Sequence, residues 1–203
     1  MQAQQISYFS PEEYLELETK AINRSEYING EIFTMAGCTA NHNKITLNFS
    51  SSLNFAMRGK DDEVYMADMR LWIEKRNIYT YPDVMIILGE PEFALGRKDT
   101  ITNPLIIAKI LSNNYDRGEK FKMYRNIPSF KEYILIAQTE MYIEQFYQNE
   151  QNQWVFSEYE GENAMLRLKN VDFEISLKEI YVDTLTVNLS TGLTGDSCFI
   201  ELT

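Results

Sequence analysis

The chain has 203 residues, 44% hydrophobic and 24% charged, which suits one globular domain whose core needs no disulfide or metal staple. Its 30 acidic side chains against 19 basic ones leave a formal charge of −11, which argues against passive, non-specific nucleic-acid binding. The two cysteines, Cys38 and Cys198, cannot make a disulfide framework or a CxxC knuckle, and the single histidine, His42, excludes a zinc site built on two histidines.

In chain order, the first predicted element is a helix over 10–20, where Ser10 caps, Pro11 suits the first helical position and Glu13 completes a capping box. Asn29-Gly30, flanked by apolar residues, predicts a tight hairpin within 26–33. From about 41 to 57 the residues Ile45, Phe49, Leu53, Ala56 and Met57 recur at helical spacing and make one apolar stripe. Over 64–73 the set Tyr65, Ala67, Met69, Leu71 and Ile73 alternates with Asp68 and Arg70, the pattern of a single half-buried strand. Tyr81-Pro82 leads into a buried strand over 83–88. A loop around 89–103 follows, then an apolar strand over 105–111 and a helix over 117–125 that stops before Pro128. Segments 132–137, 141–148, 154–159 and 164–168 read as successive strands of a meander, closed by a short helix over 176–181. Residues 184–203, rich in Thr, Ser and Gly, read as a tail on a domain spanning 1–183. The whole is α/β with a mixed sheet. No apolar run approaches membrane length and the start, MQAQQISYF, is not a secretory signal, so a reducing, cytoplasmic setting is expected, with no membrane partner.

The chain contains no GxGxxG, Walker loop or GxSxG elbow. A Ser–His–Asp triad would depend on His42, which sits between two asparagines and is better read as a hydrogen-bonding group at a helix start. Asp83 places a carboxylate at the mouth of an apolar strand, a frequent place for a metal ligand. Lys109 lies inside the apolar run from Pro104 to Leu111, so it must reach an edge, snorkel, or pair with a buried acid, and pairing is favoured. A metal here would rest on carboxylate and carbonyl oxygens, which points to a hard ion such as Mg²⁺. Residues 109–131 hold six basic and two acidic side chains in an otherwise acidic molecule. Either this is a solvated helix face, or Lys120, Lys122 and Arg125 meet phosphates or an acidic partner.

Six stretches then occur in one order: Ser10-Pro11-Glu12-Glu13-Tyr14, Arg24 to Ile32, Asn41-His42-Asn43, Ala67 to Ile73, Tyr81-Pro82-Asp83-Val84 and Tyr115 to Phe121. Together they resemble the Uma-type putative restriction endonucleases of the PD-(D/E)XK nuclease superfamily, from about Ile6 to Tyr181. The resemblance implies a restriction-endonuclease-like αβββαβ core with a mixed central sheet and added C-terminal antiparallel strands. It also implies Mg²⁺-dependent hydrolysis of DNA, and restriction-type enzymes often pair as homodimers. Asp83 matches the first metal carboxylate, Glu26 an acid that joins the metal's surroundings, and Lys120 a lysine on the following helix. The second metal carboxylate is replaced by Lys109, and the stretch Ser112-Asn113-Asn114-Tyr115 is about three residues shorter than is typical. An impaired endonuclease with an Asp83–Lys109 ion pair is the leading expectation. The alternatives are an active enzyme holding one metal on Glu26, Asp83 and Asp68, and an inactive nucleic-acid- or protein-binding module on the same fold.

Overall fold

A computed structural model describes residues 8–111 and 116–184. The shortened stretch 112–115 and nearly all of the expected tail lie outside the described residues. Helix α1 (Pro11–Lys20) starts as its sequence dictates: Ser10 Oγ accepts the Glu13 N–H and Glu13 Oε2 accepts the Ser10 N–H at 2.7 Å. Strands β1 (Ser25–Ile28) and β2 (Glu31–Thr34) form the expected hairpin. Its turn places Asn29 and Gly30 at φ 50° and 101°, and a Cβ on Gly30 would also meet the Tyr8 ring at 2.6 Å. Helix α2 (Ala40–Ala56) is capped by Thr39, whose hydroxyl accepts the His42 N–H.

The central sheet is six-stranded, in the order β11-β10-β9-β8-β6-β3, with β3 (Glu63–Met66), β6 (Val84–Ile87), β8 (Ile106–Ile110), β9 (Glu132–Ile136), β10 (Tyr142–Gln148) and β11 (Trp154–Glu160). The β8–β9 pair is parallel and its other pairs antiparallel. The crossover between β8 and β9 contains a π-helical turn (Asp116–Lys120) and α3 (Phe121–Tyr124). Elements α2, β3, β6, β8, α3 and β9 make the expected αβββαβ core. A second sheet joins β1 and β2 to β4 (Arg70–Ile73), β5 (Ile78–Thr80) and β7 (Thr100–Ile101), in the order β2-β1-β5-β4-β7. One face of the central sheet packs on Ile45, Phe49 and Leu53 of α2. The other face, through Met85, Ile87, Ile107 and Leu135, shares a core with Leu71, Ile73 and Ile78 of the second sheet.

Two expectations need correction. The alternating segment 64–73 is two strands in two sheets. The chain turns at Ala67, which sits at φ 49° and donates its N–H to the Asp83 carbonyl at 3.1 Å. Its alternation survives the turn, which hides the break from a periodicity reading. The last predicted strand does not extend the meander either. It is β12 (Met165–Arg167), paired with β13 (Glu174–Ser176) as a separate hairpin before α4 (Leu177–Ile180). The loop of that hairpin is tied to the central sheet by Glu132. Its fully buried carboxylate accepts from Gln145 Nε2 at 2.6 Å, the Lys169 N–H at 3.0 Å and Asn170 Nδ2 at 2.9 Å.

The turn at Ala67 predicts a gain. An L-residue in the left-handed region costs about 1–2 kcal/mol, whereas glycine there loses only about 0.5–1 kcal/mol of chain entropy. Ala67 is exposed, so little packing is forfeited. Ala67→Gly should raise the urea midpoint by an amount equivalent to up to about 1 kcal/mol. An unchanged midpoint would mean that the strain is relieved elsewhere in the turn.

Candidate active site

Asp83 lies immediately before β6. The antiparallel register that pairs Val84 with Ala108 sets it opposite Lys109. Both side chains are buried, and Lys109 Nζ donates to Asp83 Oδ1 at 3.0 Å. The other oxygen, Oδ2, accepts the Ile110 N–H at 2.7 Å, so each carboxylate oxygen has a donor. Burial alone would push the Asp83 pKa up. The Lys109 charge and the nearby His42 imidazole outweigh it and hold the carboxyl at about 2. For Lys109, burial works against the ammonium, but Asp83 and the buried Asp116 raise it above the ordinary lysine value.

A second pair faces the same interior. Tyr27 pairs with Tyr79 across β1 and β5, so the register sets Glu26 opposite Thr80. Glu26 Oε1 accepts from both the Thr80 hydroxyl and Lys120 Nζ, and Lys120 also reaches Thr80 Oγ1 at 2.8 Å. Lys120 is 3% exposed and Glu26 4%, so this ion pair is an interior one. Burial raises the Glu26 carboxyl, but Lys120, the Thr80 hydroxyl and the field of Lys109 bring it below the ordinary value.

His42, in the first turn of α2, brings Nε2 to 3.4 Å from Asp83 Oδ1. Burial lowers the imidazole, but its hydrogen bonds to Asp83 and Cys38 dominate and raise it to about 9. At neutral pH the Glu26 and Asp83 carboxylates therefore share this interior with the Lys109 ammonium and the His42 imidazolium.

The other residues singled out by sequence stand apart. Asp68 is exposed and pairs with Arg24, so it does not join Glu26 and Asp83. The basic side chains of 109–131 do not share one face, since Lys109 and Lys120 are buried. Lys120 points inward, Lys122 pairs with Glu119 at 2.7 Å, and Arg125 lies over the Phe121 ring at 5.0 Å. Arg117 pairs with Glu144 at 2.9 Å. Thr80, Asp116 and Cys38 belong to the cluster without having been singled out for it. Thr80 was findable only from the β1–β5 register, while the four-residue spacing of Cys38 and His42 was visible in sequence.

Residues 11–178 match a family described as a putative restriction endonuclease, Uma2. The chain belongs to the Uma2 family. The uncharacterised protein sll1609 of Synechocystis sp. is 42% identical over 155 residues, 75% of this chain and 88% of that protein. A second Synechocystis protein, slr1290, is 31% identical over 177 residues, 85% and 90% of the two chains. Among solved structures, a putative nuclease belonging to DUF820 from Anabaena variabilis superposes with a TM-score of 0.68. It covers 85% of this chain and 97% of that one at 17% identity. The restriction-endonuclease-like fold read from the Uma2 resemblance is the fold observed.

Such families typically depend on a divalent metal, and the residues of this Uma2 chain do not fit one. An ammonium stands on Asp83, a second stands on Glu26, and no group of three or more His, Cys, Asp or Glu side chains among the described residues is placed to hold an ion. The same cluster sets a pH profile. A depressed carboxyl lends stability that is full above its unfolded value and lost as pH falls through its folded value. For Asp83, whose ordinary value is 3.8, the contribution is about 2 kcal/mol, lost as pH falls from near 4 to near 2. His42 has the opposite sign. Its contribution is full below 6.5 and lost as pH rises through about 9. The melting temperature should peak between pH 5 and 6.5 and fall on both sides. His42→Gln should flatten the alkaline fall, and an unchanged alkaline limb in that variant would assign it to another group.

Proposed function

We propose that this protein is a cytoplasmic endonuclease of the restriction type, directed at phosphodiester bonds of DNA, whose Mg²⁺-dependent hydrolysis is impaired by Lys109. The observation that carries the reading is the buried Lys109 Nζ, 3.0 Å from Asp83 Oδ1 at the strand position where the family pattern has an acid. Mg²⁺ held on carboxylates would lower the pKa of a bound water and neutralise charge building on the phosphate. One unit charge about 4 Å from a dication, at an effective dielectric of about 20, corresponds to roughly 8 kcal/mol before solvent relaxation, and replacing an acid by lysine reverses its sign. Lys109 instead neutralises Asp83 directly, and Lys120 neutralises Glu26. Membership in the Uma2 family supports DNA as the substrate class, and pairing into a homodimer follows from the same restriction-type reading. The exposed surface of α3 gives little support to a binding module built on Lys120, Lys122 and Arg125, because Lys120 is inside.

The test is a supercoiled-plasmid nicking assay with Mg²⁺ or Mn²⁺, comparing the native sequence with Lys109→Glu. The expected result is weak or absent nicking by the native sequence and a gain of at least about tenfold in the variant. Efficient nicking by the native sequence that Asp83→Ala abolishes would overturn the impairment.

A further inference from the structure

We infer that the cleft on the outer face of the second sheet is a binding site for a small organic cation with an apolar body. The β4–β5 register pairs Trp72 with Tyr79 and Leu71 with Thr80. Alternation sends Leu71 and Thr80 to the interior and Trp72 and Tyr79 to the opposite face, where their rings stack with centroids 4.1 Å apart. A hairpin arm rises beside this pair. Its rungs are the Thr102 N–H on the Glu92 carbonyl at 2.9 Å and the Ala94 N–H on the Thr100 carbonyl at 3.0 Å. Its turn is closed by the Arg97 N–H on the Ala94 carbonyl at 2.9 Å. The arm holds Phe93 partly exposed and Leu95 fully exposed. Sheet, arm and the first turns of α1 enclose a cleft of about 820 Å³, within the size range of small-molecule sites.

The charges of the cleft name the sign of its ligand. Glu12, Glu74 and Glu92 line it and make no ion pair among the described residues. Arg97 also lines it but is held by Asp99, Nε to Oδ1 at 2.6 Å, so Lys75 faces the three carboxylates. Arg70 is buried beside Tyr79, 5.9 Å from its ring, and faces Asp99 at 3.8 Å. Three cations against four carboxylates leave the whole negative. A ligand cation gains from the electron-rich faces of the rings and from the carboxylates together, whereas an anion would meet carboxylates on every wall. Trp72, Phe93 and Leu95 call for an apolar body, since an inorganic ion would leave them in water. Nothing in the nuclease reading uses this face, which lies across the sheet from Thr80 and Glu26, so the two stand or fall separately.

The experiment titrates the full-length chain at pH 7 by ligand-detected NMR with three probes that share a benzyl body: phenethylammonium, 2-phenylethanol and phenylacetate. The ammonium should bind at least about tenfold more tightly than the alcohol, and phenylacetate should bind weakest. Glu74→Gln combined with Glu92→Gln alters two exposed side chains and should bring the ammonium down to the affinity of the alcohol. Trp72→Leu, checked for folding by circular dichroism, should weaken both. Equal affinity for the three probes overturns the proposal. So does a preference for the ammonium that the double variant leaves intact, because it would come from the general charge of an acidic surface. Sedimentation reads a competing occupant: a dimer that Leu95→Asp splits, with no response to any probe, would put a second copy of the chain in the cleft and overturn the proposal as well.

Discussion

Lys109→Glu should destabilise the metal-free protein by roughly 3–5 kcal/mol and make its melting temperature respond to Mn²⁺. The loss follows from the burial of the pair. Removing the ammonium leaves Asp83 in the interior with one N–H donor from Ile110 and the imidazole of His42. The introduced carboxylate stands directly opposite Asp83 in the β6–β8 register, so like charges meet where opposite charges met. A divalent ion between them reverses that penalty, and at a concentration of about 100 times its dissociation constant it returns about 2.7 kcal/mol. Lys109→Met separates the two effects. It also removes the amine and should melt early, but it supplies no second carboxylate and should not respond to Mn²⁺. Thermal melts with and without Mn²⁺ read both arms, and calorimetry reads the binding. A Lys109→Glu protein that melts like the native sequence would mean that the ammonium contributes little to the fold. One that melts early and ignores Mn²⁺ would mean that Asp83 and position 109 do not together form a metal seat.

Local chemistry makes part of this legible in the sequence. The Ser10–Glu13 box, the Asn29-Gly30 turn and the stripe on α2 each encode structure within a few residues, and each is found where it was expected. The Lys109 partner was legible for a thermodynamic reason, since an ammonium in an apolar strand needs a buried acid and Asp83 stood at the mouth of the neighbouring strand. The second sheet was not legible. Strands β5 and β7 are three and two residues long, too short to show a period, and the pairings of β5 with β1 and of β7 with β4 join segments distant in sequence. Lys120 misled for a related reason. Counting charge along 109–131 treats the segment as one surface, whereas the π-helical turn directs Lys120 inward to an acid 94 positions earlier. The Glu26–Thr80 juxtaposition exists only through the β1–β5 register, which no local pattern announces.

Lys120→Met is the second substitution with a large expected effect, and its signature is in the pH dependence as much as in the size. Glu26 would keep the Thr80 hydroxyl and the field of Lys109 but lose its bonded cation, at a cost of roughly 3–5 kcal/mol near neutral pH. In the native protein the Glu26 carboxyl lies below its ordinary value of 4.5, so its contribution is full above that value and is lost as pH falls. In Lys120→Met, burial dominates and pushes the carboxyl up. The sign therefore inverts, and the penalty is smallest below about 4.5 and grows as pH rises through the new folded value. Urea unfolding at pH 4 and pH 7 should show the gap between native and variant proteins closing in acid. Glu26→Gln combined with Lys120→Met removes both charges and should recover most of the loss, because a neutral amide can keep the Thr80 hydroxyl without a buried ion. A Lys120 that served only as a reagent for phosphate would leave none of these marks, since its removal would change turnover while stability stayed level across pH. A gap that remains constant between pH 4 and pH 7 would therefore point away from the Glu26 pair and toward a lysine held free for chemistry.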